Sequence, residues 1–348
     1  MATWSKHFAP LIATFRAAEW WEYKFVPIFA LFYATGVLLD VPLATLWPQV
    51  LTLLLALVPG AVYVSVLNDI TDRDQDLAAG KANRLAGRSS MTVTALLALP
   101  LTLGLGTMFM WRDDPLVLCL YAAAWLSFTL YSVPPIRLKT RGLAGVLADA
   151  CGAHLFPSLL AVALTFRAVD RPIDVLWFVA TGLWALAYGL RGILWHQLSD
   201  VANDRAAGVR TFVERHSSAR VVALAKYLVF PVELVGLTLL LAQLHQPLVL
   251  AGLGAYGVMV AAKVRLWGMH ATIVDSRPRF VLVLHEYYDV YLPLSILAAA
   301  AVHNTGDLIV LAVHLLLFPR RFLHVSEEIT RLLGICMRRF ARELALLR

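Results

Sequence analysis

Two short acidic runs hold the residues best suited to chemistry in this chain of 348 residues: Asn68-Asp69-Ile70-Thr71-Asp72-Arg73-Asp74-Gln75-Asp76 and Asp200-Val201-Ala202-Asn203-Asp204. Each closes a long apolar segment. Carboxylates beside a bilayer core are costly and usually mark a functional site with a partner. On a helix, Asn68, Asp72 and Asp76 stand at i, i+4 and i+8 with Asp69 one residue aside, so all four project from one side. Like charges this close need a neutralising cation. Hard oxygen donors suit Mg2+, which completes its shell with water and substrate phosphates. Asp200 and Asp204 are one turn apart, with His196 a turn earlier, and fit a second ion. A solvated loop of paired charges would explain one such run. Two matched runs beside a membrane point instead to metal ligands at Asn68, Asp69, Asp72, Asp76, Asp200 and Asp204.

Basic residues follow both runs. Arg73, Lys81, Arg84, Lys139, Arg141 and Arg210 are candidates for an anionic substrate, because a Mg2+-bound diphosphate keeps negative charge that Lys and Arg can bond. Asp149, in a small-residue segment, could orient an acceptor, take its proton or make an interhelical hydrogen bond. Arg191 and His196 could line a cavity or pair with neighbours. His285, Glu286, Tyr287, Tyr288 and Asp289 could shape an acceptor pocket.

The elements that position these residues are membrane helices. Hydrophobic residues make up 60% of the chain and charged ones 15%, where soluble domains carry about a quarter charged. Apolar blocks long enough to cross a bilayer fall near 25–46, 49–67, 91–110, 115–133, 142–166, 174–198, 219–241, 247–267 and 281–302. The expected fold class is all-α: an integral membrane protein of about nine transmembrane helices around a central cavity. The blocks lack the alternation of β-barrel strands. Residues 1–305 form the polytopic domain on this reading. Residues 306–348 add a short apolar piece and a basic amphipathic tail suited to the interface.

Basic residues collect in the N-terminal segment and after the second, fourth, sixth and eighth blocks. Only Arg112, Arg167 and Arg171 sit in the opposite loops, so the N-terminus and both acidic runs are expected on the cytoplasmic side. The net charge of +7 then reads as loops meeting anionic lipid, and no basic soluble domain points to nucleic acid. Cys119, Cys151 and Cys336 have neither metal-ligand nor disulfide spacing. The first block has no cleavable-signal pattern and reads as a retained span.

The two runs also echo each other. Both spell Asp-x-x-x-Asp-x-Ala-Ala-Gly, at 72–80 and 200–208, then a basic residue within two positions. Pairing of half-molecules is a pointer to a central site.

With these motifs the chain resembles the UbiA superfamily of intramembrane prenyltransferases. The family's Asn-Asp-x-x-Asp-x-x-x-Asp motif is complete at Asn68, Asp69, Asp72 and Asp76. Its second motif is matched by Asp200, Asp204 and Gly208-Val209-Arg210-Thr211. Tyr131-Ser132-Val133-Pro134-Pro135-Ile136-Arg137-Leu138-Lys139 is similar to a Tyr-Ser-x-Pro-Pro stretch, and Arg16, Trp21, Lys24 and Pro27 to the family's N-terminal entry. One departure is Asn83-Arg84-Leu85-Ala86-Gly87, where the family often has Asn-Arg-Pro-Leu. The resemblance covers residues 16 to about 300.

The resemblance implies nine helices, Mg2+ as cofactor, an isoprenyl diphosphate donor and a lipophilic or aromatic acceptor, all within a lipid bilayer and suited to a bacterial inner membrane. Together with the reading of the residues above, it puts Asp69, Asp72, Asp76, Asp200, Asp204 and Asp149 forward for catalysis, and Arg73, Lys81, Arg84, Tyr131, Lys139, Arg141, His196 and Arg210 for substrate binding. Two other functions stay open: a terpene cyclase on the same scaffold, and a transporter of divalent cations or anionic lipid that leaves a diphosphate intact.

Overall fold

The computed structural model describes residues 13–346 other than 79, 81–82, 207 and 276–278. Three basic residues of the N-terminal segment, the loop after the eighth block and the tail, Lys6, Arg277 and Arg348, lie outside the described residues. The longer helices are α1 (Ala17–Leu38), α2 (Trp47–Thr71), α3 (Ser90–Met110), α4 (Pro115–Ser132), α5 (Leu143–Ala168), α6 (Val175–Ala206), α7 (Ser218–Leu244), α8 (Pro247–Trp267), α9 (Leu292–His303), α10 (Leu308–Leu317) and α11 (Pro319–Leu346). Two short parallel strands, His270–Thr272 and Phe280–Leu282, join α8 to the turn before α9.

Among the described residues, seven of these helices are long and apolar enough to cross a membrane, or eight if the bent pair of α10 and α11 forms one span. Leu99, Leu103, Leu105 and Phe109 of α3 stand exposed, an apolar surface that matches lipid. The chain is an all-helical integral membrane protein. The expected count of nine is not reached by length and composition, and two of the expected spans differ.

The first span begins earlier than expected. Helix α1 starts at Ala17, so its first turns carry Glu19 and Glu22, and it ends at Leu38 rather than running to residue 46. Asp40 adopts φ 55° and Pro42 follows, which closes the helix and leaves Leu43–Leu46 as a 3-10 turn. The ninth span begins later. Residues 280–282 pair as a strand, and the helical path starts only at Tyr287. A short apolar run does not by itself separate strand from helix.

Three helices widen at one place each. Cys151–Leu155 in α5, Ala225–Val229 in α7 and Tyr287–Tyr291 before α9 are π-turns. In each, the next residue bonds five positions back: Phe156 N–H to Cys151 O, Phe230 N–H to Ala225 O and Leu292 N–H to Tyr287 O. A proline follows immediately, at 157, 231 and 293. Proline donates no N–H, and its ring collides with the carbonyl four residues back in a regular helix. The wider turn removes that collision.

The C-terminal segment packs back on α1. Glu22 accepts from the backbone N–H groups of Arg320 and Arg321 at 2.9 and 2.6 Å, which satisfies the open N-terminus of α11 with a carboxylate. Trp21 Nε1 donates to Leu317 O at 2.7 Å. Between these contacts the chain turns by 90° from α10 into α11.

Arg191 of α6 forms a bidentate pair with Glu233 of α7 at 2.6 and 2.7 Å, and Tyr288 Oη donates to the same carboxylate at 2.9 Å. Both partners are buried. The helices approach closely enough there that a Cβ on Gly236 would stand 2.5 Å from the backbone N of Trp184. Arg191→Leu would strand the Glu233 charge and is expected to cost about 3–5 kcal/mol, read as a lower unfolding midpoint in detergent. Arg191→Leu with Glu233→Leu should recover most of that loss. An unchanged midpoint in the single variant would contradict the account.

Candidate active site

A cavity of about 1070 Å³ opens between the helices. Asn68, Asp69, Asp72 and Asp76 reach it from the end of α2 and the short helix Arg73–Ala78. The backbone bonds continue across the junction: Asp72 N–H to Asn68 O at 2.9 Å and Asp76 N–H to Asp72 O at 2.8 Å. That continuity keeps the i, i+4, i+8 residues on one side. His196, Asp200 and Asp204 reach the same cavity from the last turns of α6. Two acidic runs far apart in sequence therefore share one wall.

The aspartates are tied to neighbours in an ordered way. Asp72 Oδ1 accepts from Arg137 Nη2 at 2.8 Å and also from the Lys139 ammonium. Burial lowers the Lys139 pKa below the ordinary lysine value, and Asp72 pulls it the other way. Asp69 Oδ1 lies 3.8 Å from Arg16 Nη1, while its Oδ2 is buried with no hydrogen-bond partner among the described residues. Asn68 Oδ1 accepts from the Ser132 hydroxyl.

The sequence echo is also a structural one. Gly80 and Gly208 both end their helices with positive φ, 68° and 66°. Beyond each glycine the chain folds back so that the residue seven positions after the second aspartate reaches its carboxylate. Asn83 Nδ2 donates to Asp76 Oδ2 at 2.9 Å, and Thr211 Oγ1 donates to Asp204 Oδ2 at 3.2 Å. Asn83 also donates to Asp69 O at 2.8 Å and accepts from Leu85 N–H at 3.1 Å. The Asn-Arg-Leu stretch thus holds its turn without the proline expected there.

Of the expected substrate residues, Arg84, Tyr131, Lys139 and His196 line the cavity. Asp149 lines it too, and the Tyr131 hydroxyl lies within the fields of Asp149, Asp72 and Asp204. Arg84 Nη2 donates to Glu19 at 3.1 Å. Arg73, Arg141 and Arg210 are exposed and do not line the cavity. Arg141 donates instead to Pro135 O at 2.9 Å. Lys81 lies outside the described residues. Arg191 is occupied by Glu233.

Several contributors were not picked out as site residues. Arg137 touches Asp72 and Gln75, and Arg16, Glu19 and Lys24 also stand at the site from the loop after α4 and the start of α1. The signal for Arg137 was its place two residues before Lys139. Arg16 and Lys24 had their similarity to the family's N-terminal entry, which did not by itself give them a role.

Away from the aspartates the wall becomes apolar and aromatic. Trp20, Phe25, Tyr63, Trp125 and Phe128 line it. Tyr63 and Trp125 stand 4.6 Å apart between ring centroids, and Tyr121 Oη donates to Ala56 O at 3.1 Å. Elsewhere in the wall, Glu286, His324 and Glu328 have ligand atoms within 4.8 Å of one another. Lys263 Nζ, at 2.7 Å from both glutamates, already supplies the cation there.

The model of the UbiA prenyltransferase family matches residues 28–282, and that span includes both acidic motifs. The chain belongs to the UbiA prenyltransferase family. A solved UbiA homolog from Archaeoglobus fulgidus, bound to GPP and Mg2+, superposes with a TM-score of 0.54 at 17% identity, over 84% of this chain and 99% of that one. At that identity the likeness establishes the fold. A lycopene elongase/hydratase of Halobacterium salinarum is 28% identical over 181 residues, covering 51% of this chain and 61% of the relative. A 2-acylphloroglucinol 4-prenyltransferase of Humulus lupulus is 28% identical over 202 residues, covering 54% of this chain and 46% of the relative. The chain thus spans about half to three-fifths of the curated UbiA relatives it matches.

The helix-ending glycines set where the second half of each motif points. Gly208→Ala is expected to cost about 1 kcal/mol in detergent unfolding, since the left-handed backbone penalises a Cβ even in open space. Gly106→Ala, at a helical position with equally open space, should be neutral or slightly stabilising. Equal effects of the two would show that backbone conformation at Gly208 is not limiting.

Proposed function

We propose that this UbiA protein transfers an isoprenyl group from an isoprenyl diphosphate to a lipophilic or aromatic acceptor inside the membrane. The observation that carries this reading is the convergence of Asp69, Asp72, Asp76, Asp200 and Asp204, with Arg84 and Lys139, on a cavity that also has an apolar and aromatic wall at Trp20, Phe25, Tyr63, Trp125 and Phe128. A transporter of cations or lipid headgroups would have no use for the apolar wall of Phe25, Ile28, Leu57 and Leu160, which an isoprenyl chain fits.

The residues present fit Mg2+. Asn68, Asp69, Asp72 and Asp76 would hold one ion, and Asp200 and Asp204 a second; Asp69 Oδ2 is a buried oxygen still lacking a hydrogen-bond partner. Bound Mg2+ supplies charge neutralisation that makes the diphosphate a better leaving group. Arg84 and Lys139 would bind diphosphate oxygens and hold the donor with C1 toward the aromatic wall. The C1–O bond breaks with its electron pair going to the diphosphate. The aromatic rings of Tyr63, Trp125 and Phe128 in the wall would favour the allylic cation and exclude water. The acceptor then forms the new bond to C1 and loses a proton, which Asp149 or another cavity base takes.

The GPP bound in the Archaeoglobus homolog supports a short donor, and the acylphloroglucinol and lycopene named for the two relatives support an aromatic or polyene acceptor. Asp149 and Tyr131, which both line the cavity, are assigned to substrate handling. The assignment of residues 1–305 as the prenyltransferase unit, with 306–348 as an added tail, belongs to the same reading. So does the cytoplasmic side of a bacterial inner membrane for the site, on the strength of the basic loops beside both motifs. A terpene cyclase would use the same ionisation but form a cyclised hydrocarbon without any acceptor.

Purified protein given geranyl, farnesyl or geranylgeranyl diphosphate is expected to release diphosphate with Mg2+ and not with EDTA. Asp72→Ala and Asp204→Ala should each abolish release while the protein stays folded in detergent. Near-normal turnover in both variants would sink the two-ion mechanism. Asn83→Ala, which removes the bonds to Asp76 and the Asp69 carbonyl, is expected to raise the Mg2+ needed for half-maximal release about 10–100-fold.

A further inference from the structure

A second polar group of residues lines the same cavity, contributed by the turn before α9 and by α11. It lies outside the stretch matched by the family model, which ends at residue 282. His285 Nδ1 stands 3.0 Å from Asp289 Oδ2, and the Asp289 side chain is fully buried. Arg321 Nε approaches the same oxygen at 3.4 Å. Among the described residues no hydrogen bond is made by His285 Nε2, the ring nitrogen turned away from Asp289. The rings of Tyr23 and Tyr188 flank His285 at 5.9 and 6.1 Å between centroids.

This arrangement is built rather than incidental. Asp289 sits within the π-turn that accommodates Pro293, so its carboxylate is held by a widened backbone. Arg321 is fixed because its own N–H donates to Glu22. Glu328, one side of α11, is tied to Lys263 at 2.7 Å. The groups around His285 are Tyr23 and Lys24 on α1, His154 on α5, Tyr188 on α6, Arg321 on α11, and Glu286 and Asp289 beside it in the chain.

The geometry points to an acceptor subsite here, in which His285 is the base for a phenol or enol hydroxyl and Asp289 and Arg321 position it. The inference rests on the prenyl-transfer reading and adds the acceptor class to it. An all-hydrocarbon acceptor at this wall would leave the His285 ring nitrogen that faces away from Asp289 desolvated, whereas Glu286 and Arg321 already have partners in Lys263 and Asp289. A hydroxylated ring satisfies the polar wall through its oxygen and fits between Tyr23 and Tyr188 through its face.

In this step the acceptor O–H proton passes to His285 Nε2, and Asp289 stabilises the imidazolium. A ring carbon then bonds to C1 of the allylic cation, the C1–O electron pair having already left on the diphosphate. The ring C–H proton then goes to the diphosphate, and His285 returns its proton to the oxygen. One C–H and one C–O bond have become a C–C bond and a protonated diphosphate.

The test uses the full chain in detergent with Mg2+, geranyl diphosphate and a 2-acylphloroglucinol. The readout is prenylated product formed per diphosphate released. His285→Gln is expected to lower that ratio about 100-fold, the range of one general base. Asp289→Asn should lower it less. A ring-chlorinated acylphloroglucinol, whose hydroxyl is more acidic, should recover at least ten-fold of the ratio in both variants, which a merely structural defect would not do. Equal ratios in wild type and His285→Gln overturn the assignment, as does a parallel loss of release and transfer in both variants. Wild-type release with no prenylated phenol overturns the hydroxyl-acceptor class while leaving the donor chemistry intact. Wild-type protein that releases no diphosphate overturns the prenyl-transfer reading itself.

Discussion

Every charge brought into the apolar interior of this protein has to be compensated on the spot, and the fold follows from that constraint. Taking an unpaired carboxylate or guanidinium out of water costs far more than any single packing contact returns. Glu22 of α1 answers the N-terminus of α11. Arg191 of α6 answers Glu233 of α7, and Lys263 of α8 answers Glu286 and Glu328. Each pair joins elements that the short loops alone would not hold together. At the mouth of the cavity Asp69 keeps a buried oxygen without a hydrogen bond among the described residues, as Asp289 and Glu328 do elsewhere. Where compensation is incomplete, a ligand is the natural way to finish it.

The prolines show how a helical scaffold makes room for such groups. Pro157, Pro231 and Pro293 would each break a regular helix, yet all three are absorbed by a π-turn just before them. The extra residue per turn swings side chains that a regular helix would direct elsewhere. His154 lies in the first of these turns and Asp289 in the third, and His154 and the neighbouring His285 line the cavity. Local backbone accommodation and the polar lining of the cavity are therefore one feature of the sequence.

The membrane class, the helical fold and the two acidic motifs were legible because their signals are local. Long apolar blocks, i to i+4 spacing and a helix-ending glycine all depend on near neighbours. The limits of α1 and α9 were not legible for the same reason in reverse. Glu19 and Glu22 look like helix-excluding charges until Arg16, Arg84 and the start of α11 are seen to meet them. Residues 281–286 look like the head of a span until His270–Thr272 pairs with 280–282. Arg73, Arg141 and Arg210 were selected by proximity in sequence, but helix phase and loop direction place them outward, while Arg137 turns inward to Asp72. Side-chain direction in loops is set by tertiary contact, which no spacing rule carries.

The two acidic runs are alike in backbone and unlike in charge. Both end on a left-handed glycine, and both return a side chain to the second aspartate from seven residues on, Asn83 in one and Thr211 in the other. A shared backbone device of that kind holds the carboxylates of both runs at one cavity. Yet Asp72 in the first run is held by both Arg137 and Lys139. An anion arriving between the runs would then compete with Asp72 for the Lys139 ammonium, and in doing so would free an Asp72 oxygen for a cation. Anion and cation binding would thereby be coupled through Lys139, each making the other more favourable.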